Sequence, residues 1–162
     1  MITNLNPLNL HVQRGPRMEL VPRFLNRYPA IPPDYLAFIC DLRSCTNQGE
    51  NAWFNTVHNF NETAESAFRW NEFELMSLEA AENDKRRKEI IEFWDKNLPV
   101  VLSVKGHYSH FSICLDKQRY GQVRFGNAPE FENIKPVAAS FTDFMHKLAT
   151  QTLDQYHLDR IR

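Results

Sequence analysis

The chain has 162 residues, 43% hydrophobic, 12% aromatic and 24% charged, with a formal net charge of −1. These are the proportions of one ordinary globular domain, large enough to fold without a disulfide or a structural metal. The balanced charge excludes a global field drawing the protein onto nucleic acid or an anionic membrane, and no apolar run approaches the ~20 residues that span a bilayer.

Residues 1–30 are polar and punctuated by Pro7, Pro16, Pro22 and Pro29. They read as an N-terminal extension that either packs on the domain or flanks it as an arm. Within them Arg17 to Leu25 suits a short helix only if Pro22 lies in its first turn. The opening MITNLNPLNLHVQRGPRMEL lacks a basic start followed by an apolar core, so it does not read as a secretory signal. Three cysteines, Cys40, Cys45 and Cys114, are an odd number without close pairing, which predicts reduced thiols and a cytoplasmic location.

In IPPDYLAFICDL, the residues Tyr35, Leu36, Phe38, Ile39 and Leu42 recur at helical spacing behind prolines that suit a helix start. Residues 43–51 read as a loop on composition, and AWFNTV as a short strand carrying Trp53. Asn71 followed by Glu74 has the form of a capped helix start leading into ELMSLEAAE. Asp84 is placed to cap a second helix whose stripe is Ile90, Ile91, Phe93 and Trp94.

The period then changes. LPVVLSV is nearly continuous apolar sequence, as in a strand covered on both faces. In SHFSICL, Phe111, Ile113 and Leu115 alternate with His110, Ser112 and Cys114, which predicts one strongly apolar face. YGQVRFG is a third strand, NAPEFENI a loop, and KPVA a short edge strand. Ser140 and Asp143 bracket a last helix with Phe141, Phe144, Met145 and Leu148 as its buried stripe. The order predicts a single α+β domain over residues 31–150, a mostly antiparallel sheet packed against several helices. Residues 151–162 either extend the last helix or fray.

Catalytic and metal signatures are sparse. His107 and His110 sit three apart in a strand-like stretch and so point to opposite faces. No Cys or Asp cluster completes a tetrahedral set, and both read as surface or half-buried histidines. Neither Cys45 nor Cys114 carries a local nucleophile signature. Glu72 and Glu74 face different directions on a helix, and the five glycines are scattered singly, so no phosphate cradle forms. No metal, no cofactor and no catalytic residue is expected.

Taken in order, IPPDYLAFI, LPVVLSV, the pair HFSICL and QVRFG, and the closing VAASFTDFMHKL resemble the SUKH superfamily, which includes bacterial immunity proteins and yeast cell-wall regulators. The resemblance covers about residues 31–149. It departs at Ser44-Cys45-Thr46-Asn47, where the family often has Asn-Gly, and at the bulkier Gly106-His107-Tyr108. It implies a mixed fold with a curved sheet, no catalytic activity, and a surface that binds a cognate protein toxin encoded by a neighbouring gene. A cytosolic adaptor of the same fold with a non-toxin partner is the alternative.

Charge distribution suggests where such a partner docks. From Asn61 to Asp84 stand Glu62, Glu65, Glu72, Glu74, Glu79, Glu82 and Asp84 against the single base Arg69. Nuclease toxins need basic clefts to hold phosphates, and an acidic surface steers onto such a cleft and occupies it. Glu62, Glu65, Glu72, Glu74 and Glu79, with Phe68 and Trp70 as apolar anchors, are therefore the candidate partner-binding residues, and Phe73 in the same segment is a further candidate anchor. Two solvated helix faces are the competing reading of the same charges, and core packing that of Trp70. The basic run Lys85 to Lys88 is too short to suggest nucleic acid.

Overall fold

In the computed structural model, which describes residues 6–162, seven strands pair in chain order into one open antiparallel sheet. They are β1 (His11–Arg14), β2 (Leu42–Thr46), β3 (Ala52–Phe54), β4 (Asn97–Ser103), β5 (Ser109–Cys114), β6 (Val123–Asn127) and β7 (Lys135–Ala138). Seven helices complete the described residues: α1 (Pro22–Arg27), α2 (Pro33–Ile39), α3 (Val57–Phe60), α4 (Glu72–Ala80), α5 (Asp84–Lys96), α6 (Phe141–Ala149) and α7 (Gln155–Ile161). The chain is a single α+β domain, and none of these helices is long and apolar enough to cross a membrane.

Residues paired across strands share a face of the sheet, so the register sorts the side chains. One row, Phe54, Val101, Phe111 and Phe125, lies on the first face. There α2, α6 and α7 cover it, with Tyr35 against Phe141 at 4.9 Å and Phe111 against Phe144 at 5.1 Å between ring centres. The neighbouring row, Thr46, Trp53, Leu102, His110 and Gly126, lies on the second face. The α4–α5 hairpin covers that face, with Trp94 on His110 at 4.8 Å and Phe73 stacked on Phe131 at 4.4 Å.

Local chemistry explains most boundaries. Pro33 opens α2 at a position where its missing N–H is no loss. Asp34 then accepts from the backbone N–H and hydroxyl of Thr142, tying α2 to α6. Ser140 accepts from Asp143 N while Asp143 accepts from Ala139 N, a reciprocal cap on α6. The cap of α5 is Asn83, which accepts from Arg86 N, rather than Asp84 one residue on.

The structure departs from sequence expectation in further places. The stretch 43–51 contains most of strand β2. Its polar outer residues are stabilised as a strand by pairing with β1 and β3 rather than by two-sided burial. The helix read through to Leu42 stops at Ile39, and Leu42 opens β2. In β5 all six residues are buried, because α4 and α5 cover the face that alternation left polar. His110 is consequently buried in full rather than at the surface or half-buried. Residues of the N-terminal stretch supply β1 and, through Leu20, Phe24 and Tyr28, part of the main core, and α7 adds Leu158 and Ile161.

Candidate partner-binding face

The α4–α5 hairpin covers the second face only over β4–β6. Over β2 and β3 that face is roofed instead by the loop through residues 61–70, and between roof and sheet runs a groove of about 500 Å³. Its floor is Arg43, Ser44, Thr46 and Trp53, its wall Glu65 and Phe68, and Glu50 stands at its rim. A register shift against β1 between Gln13 and Arg14 brings Arg43 and Ser44 together on this outward side.

Both edges of the groove are fixed by hydrogen bonds. Asn47 Oδ1 accepts from Asn51 N and Ala52 N, shaping the β2–β3 turn that carries Glu50 in a left-handed conformation (φ 53°). Asn61 accepts from Val21 N and donates to Glu19 O, pinning the start of the roof to the N-terminal stretch. Phe68 holds the other end, edge-on to Trp53 at 5.6 Å and to Tyr108 at 5.9 Å. Trp53 and Phe68 are half-buried, and Tyr108 is 38% exposed.

The residues selected from sequence divide. Glu62, Glu65 and Phe68 lie on the roof, exposed or half-buried, and line the groove or the adjoining recess. Glu62 reaches Arg23 at 3.1 Å. Glu72 is half-buried at the start of α4 and accepts from Arg69 N, and Glu79 is exposed at the far end of that helix. Trp70 and Glu74 are inside the fold. Trp70 packs edge-on against Phe24 at 5.2 Å and Phe60 at 5.6 Å. Glu74, 6% exposed, grips Arg27 through both oxygens at 2.7 and 2.9 Å. Burial alone would lower the Arg27 pKa, but its hydrogen bonds to Glu74 and Asp95 hold it well above the ordinary value. These two residues are therefore corrected from surface candidates to core. The acidity that looked free in sequence is partly matched in space by Arg23 and Arg27.

Sequence reasoning passed over Glu50 and Trp53 as lining residues. Trp53 had a usable signal, since strand alternation sets it opposite Ala52 and Phe54, both buried.

The described residues contain no group of three or more His, Cys, Asp or Glu able to hold a metal. All three cysteines are free thiols. Burial pushes the Cys45 thiol up to about 12 against the opposing pull of Arg14, so it is protonated at neutral pH and poorly nucleophilic. His110 donates from Nε2 to Phe131 O at 2.8 Å, leaving Nδ1 without a partner, and burial pushes its pKa down to about 4. Gly126 is needed beside it, because a Cβ there would collide with Phe131 O and lie 2.6 Å from His110 Nε2. In the basic run, Arg86 pairs with Glu132 at 3.1 Å and Arg87 donates to Leu78 O at 2.7 Å, so half of that cluster braces the hairpin. Compared with family models, curated proteins and solved structures, the chain matches none.

Proposed function

We propose that the chain is a cytoplasmic immunity protein that binds a cognate bacterial toxin, for instance a nuclease, and blocks it without catalysing a reaction. The observation that carries this reading is the groove over β2 and β3. It combines half-buried aromatics with exposed carboxylates on a rigid sheet, the composition of an interface anchor. Glu65 lines the groove and Glu62 the adjoining recess, which gives its roof an acidic edge. Such an edge speeds encounter with a basic nuclease cleft and gives the complex its salt dependence. The SUKH resemblance of residues 31–149 supports the same reading and supplies the toxin as partner.

The test is co-expression with the toxic C-terminal domain of the neighbouring gene product. Growth is expected to be restored only when this chain is present. A neighbour that is harmless alone, or lethal despite soluble co-expression, would replace the toxin with a non-toxin partner and favour an adaptor. With a complex in hand, Glu62→Lys with Glu65→Lys is expected to slow association about tenfold at low salt. The thermal midpoint of the free protein should be unchanged.

A further inference from the structure

We propose that the groove over β2 and β3 receives an arginine side chain of the protein partner, its guanidinium lying against Trp53 and Phe68 with Glu50 and Glu65 as counter-charges. The inference deepens the immunity reading by naming what the partner inserts.

The protein already builds this arrangement once for itself. The Arg27 guanidinium lies 5.2 Å from the ring centre of Tyr28 and 5.8 Å from that of Trp70, and carboxylates of Glu74 and Asp95 grip its edge at 2.7 to 2.9 Å. A planar, weakly hydrated cation suits this combination of aromatic wall and acid, which a compact ammonium exploits less well. The groove repeats the parts without the cation. Trp53 and Phe68 supply aromatic surface, and Glu50 and Glu65 two carboxylates. Neither carboxylate has an ion-pair partner among the described residues. Arg43 lines the same groove but reaches neither of them. It leaves the lining one negative charge in excess and places a competing cation on the floor.

A volume of about 500 Å³ has room for one long side chain. Because the β2–β3 turn and the roof are both fixed by side-chain hydrogen bonds, little ordering is required of this protein when the cation enters.

The probe is a short capped peptide, Gly-Arg-Gly-Arg-Gly, titrated at low ionic strength into isotope-labelled full-length protein. Its citrulline counterpart, the same shape without the charge, is the control. The readout is the indole N–H resonance of Trp53, identified by its loss in Trp53→Phe. The arginine peptide is expected to move that resonance saturably and the citrulline peptide to leave it in place. Glu50→Gln with Glu65→Gln is expected to weaken the arginine peptide about tenfold, and Arg43→Gln to strengthen it about threefold. All three are surface changes that should leave the thermal midpoint alone. Equal shifts from both peptides, no shift from either, or full affinity in the double variant overturns the inference. If co-expression rescue succeeds while the arginine peptide leaves Trp53 unmoved, the immunity reading stands and this inference falls. If the peptide binds as expected and rescue fails, the groove stands and the toxin is the wrong partner.

Discussion

The two faces of the sheet are built to different rules. The first carries the row Phe54, Val101, Phe111 and Phe125 and is sealed by α2, α6 and α7 into a continuous apolar core. The second mixes Leu102 and Trp94 with buried polar groups (His110, Ser112, Asn97), and its helical cover ends before β2 and β3. A face sealed with large apolar side chains supplies stability and can offer nothing to a partner. A face that is half covered, with polar groups under the cover and aromatics at its margin, gives up some of that stability and keeps a surface in hand.

The largest effect that would break this division is a cavity. Phe111→Ala, at the centre of the first face and fully buried, is expected to cost about 4 kcal/mol in urea unfolding. Phe68→Ala, at the margin of the second face, should cost well under half of that. Equal costs would mean that the two faces share the work of holding the fold.

The next effect is carried by protons and sits on the second face. His110 ordinarily titrates at 6.5 and in the folded protein only at about 4. Between those values the unfolded chain binds more protons than the native one. The stability that neutral His110 contributes is therefore complete above pH 6.5 and is lost as the pH falls toward 4. Its share of the loss between pH 7 and pH 5 is about 2 kcal/mol. Denaturant midpoints across that range test it against His110→Gln, which keeps a donor for Phe131 O without a titrating ring. The variant is expected to show a flatter profile by that amount, and parallel profiles would remove His110 as the acid-sensitive element.

The same division explains how much was legible in the sequence. β4 announces itself as a continuous apolar run, and α6 by its cap and its Phe141, Phe144, Met145 stripe, because both signals are local. β2 carries no such signal. RSCT is polar on the side that faces the groove and is extended through its pairing with β1 and β3, while NQGEN makes the turn that follows. His110 and Ser112 read as the wet side of β5 because the helices that dry them come from residues 72–96, distant in sequence. Of the candidate site, Glu62, Glu65 and Phe68 could be selected by charge and aromatic content. Glu50 and Trp53 join them only through the folding of the loop 61–70 over the sheet.

Glutamates from one acidic segment then provide the sharpest comparison, since sequence gives Glu65 and Glu74 equal weight and the structure does not. Glu74 is buried with both oxygens on Arg27, which lies against Tyr28 and Trp70. Glu74→Gln preserves the shape and removes the charge, leaving a partly buried guanidinium with Asp95 as its remaining counter-ion. Removing one partner of a fully buried pair costs 3–5 kcal/mol, and the solvent access of Arg27 together with the surviving Asp95 contact reduces this to about 1–2 kcal/mol. Glu65→Gln touches an exposed, unpaired carboxylate and is expected to shift the unfolding free energy by less than about 0.5 kcal/mol. Its effect should fall on the association rate with a cationic partner instead. Urea unfolding of the two single variants side by side decides the point. If both are neutral, Arg27 does not depend on Glu74 and the segment is a solvated acidic surface throughout. If Glu65→Gln is the costlier, the roof of the groove is part of the core and not a surface that a partner can use.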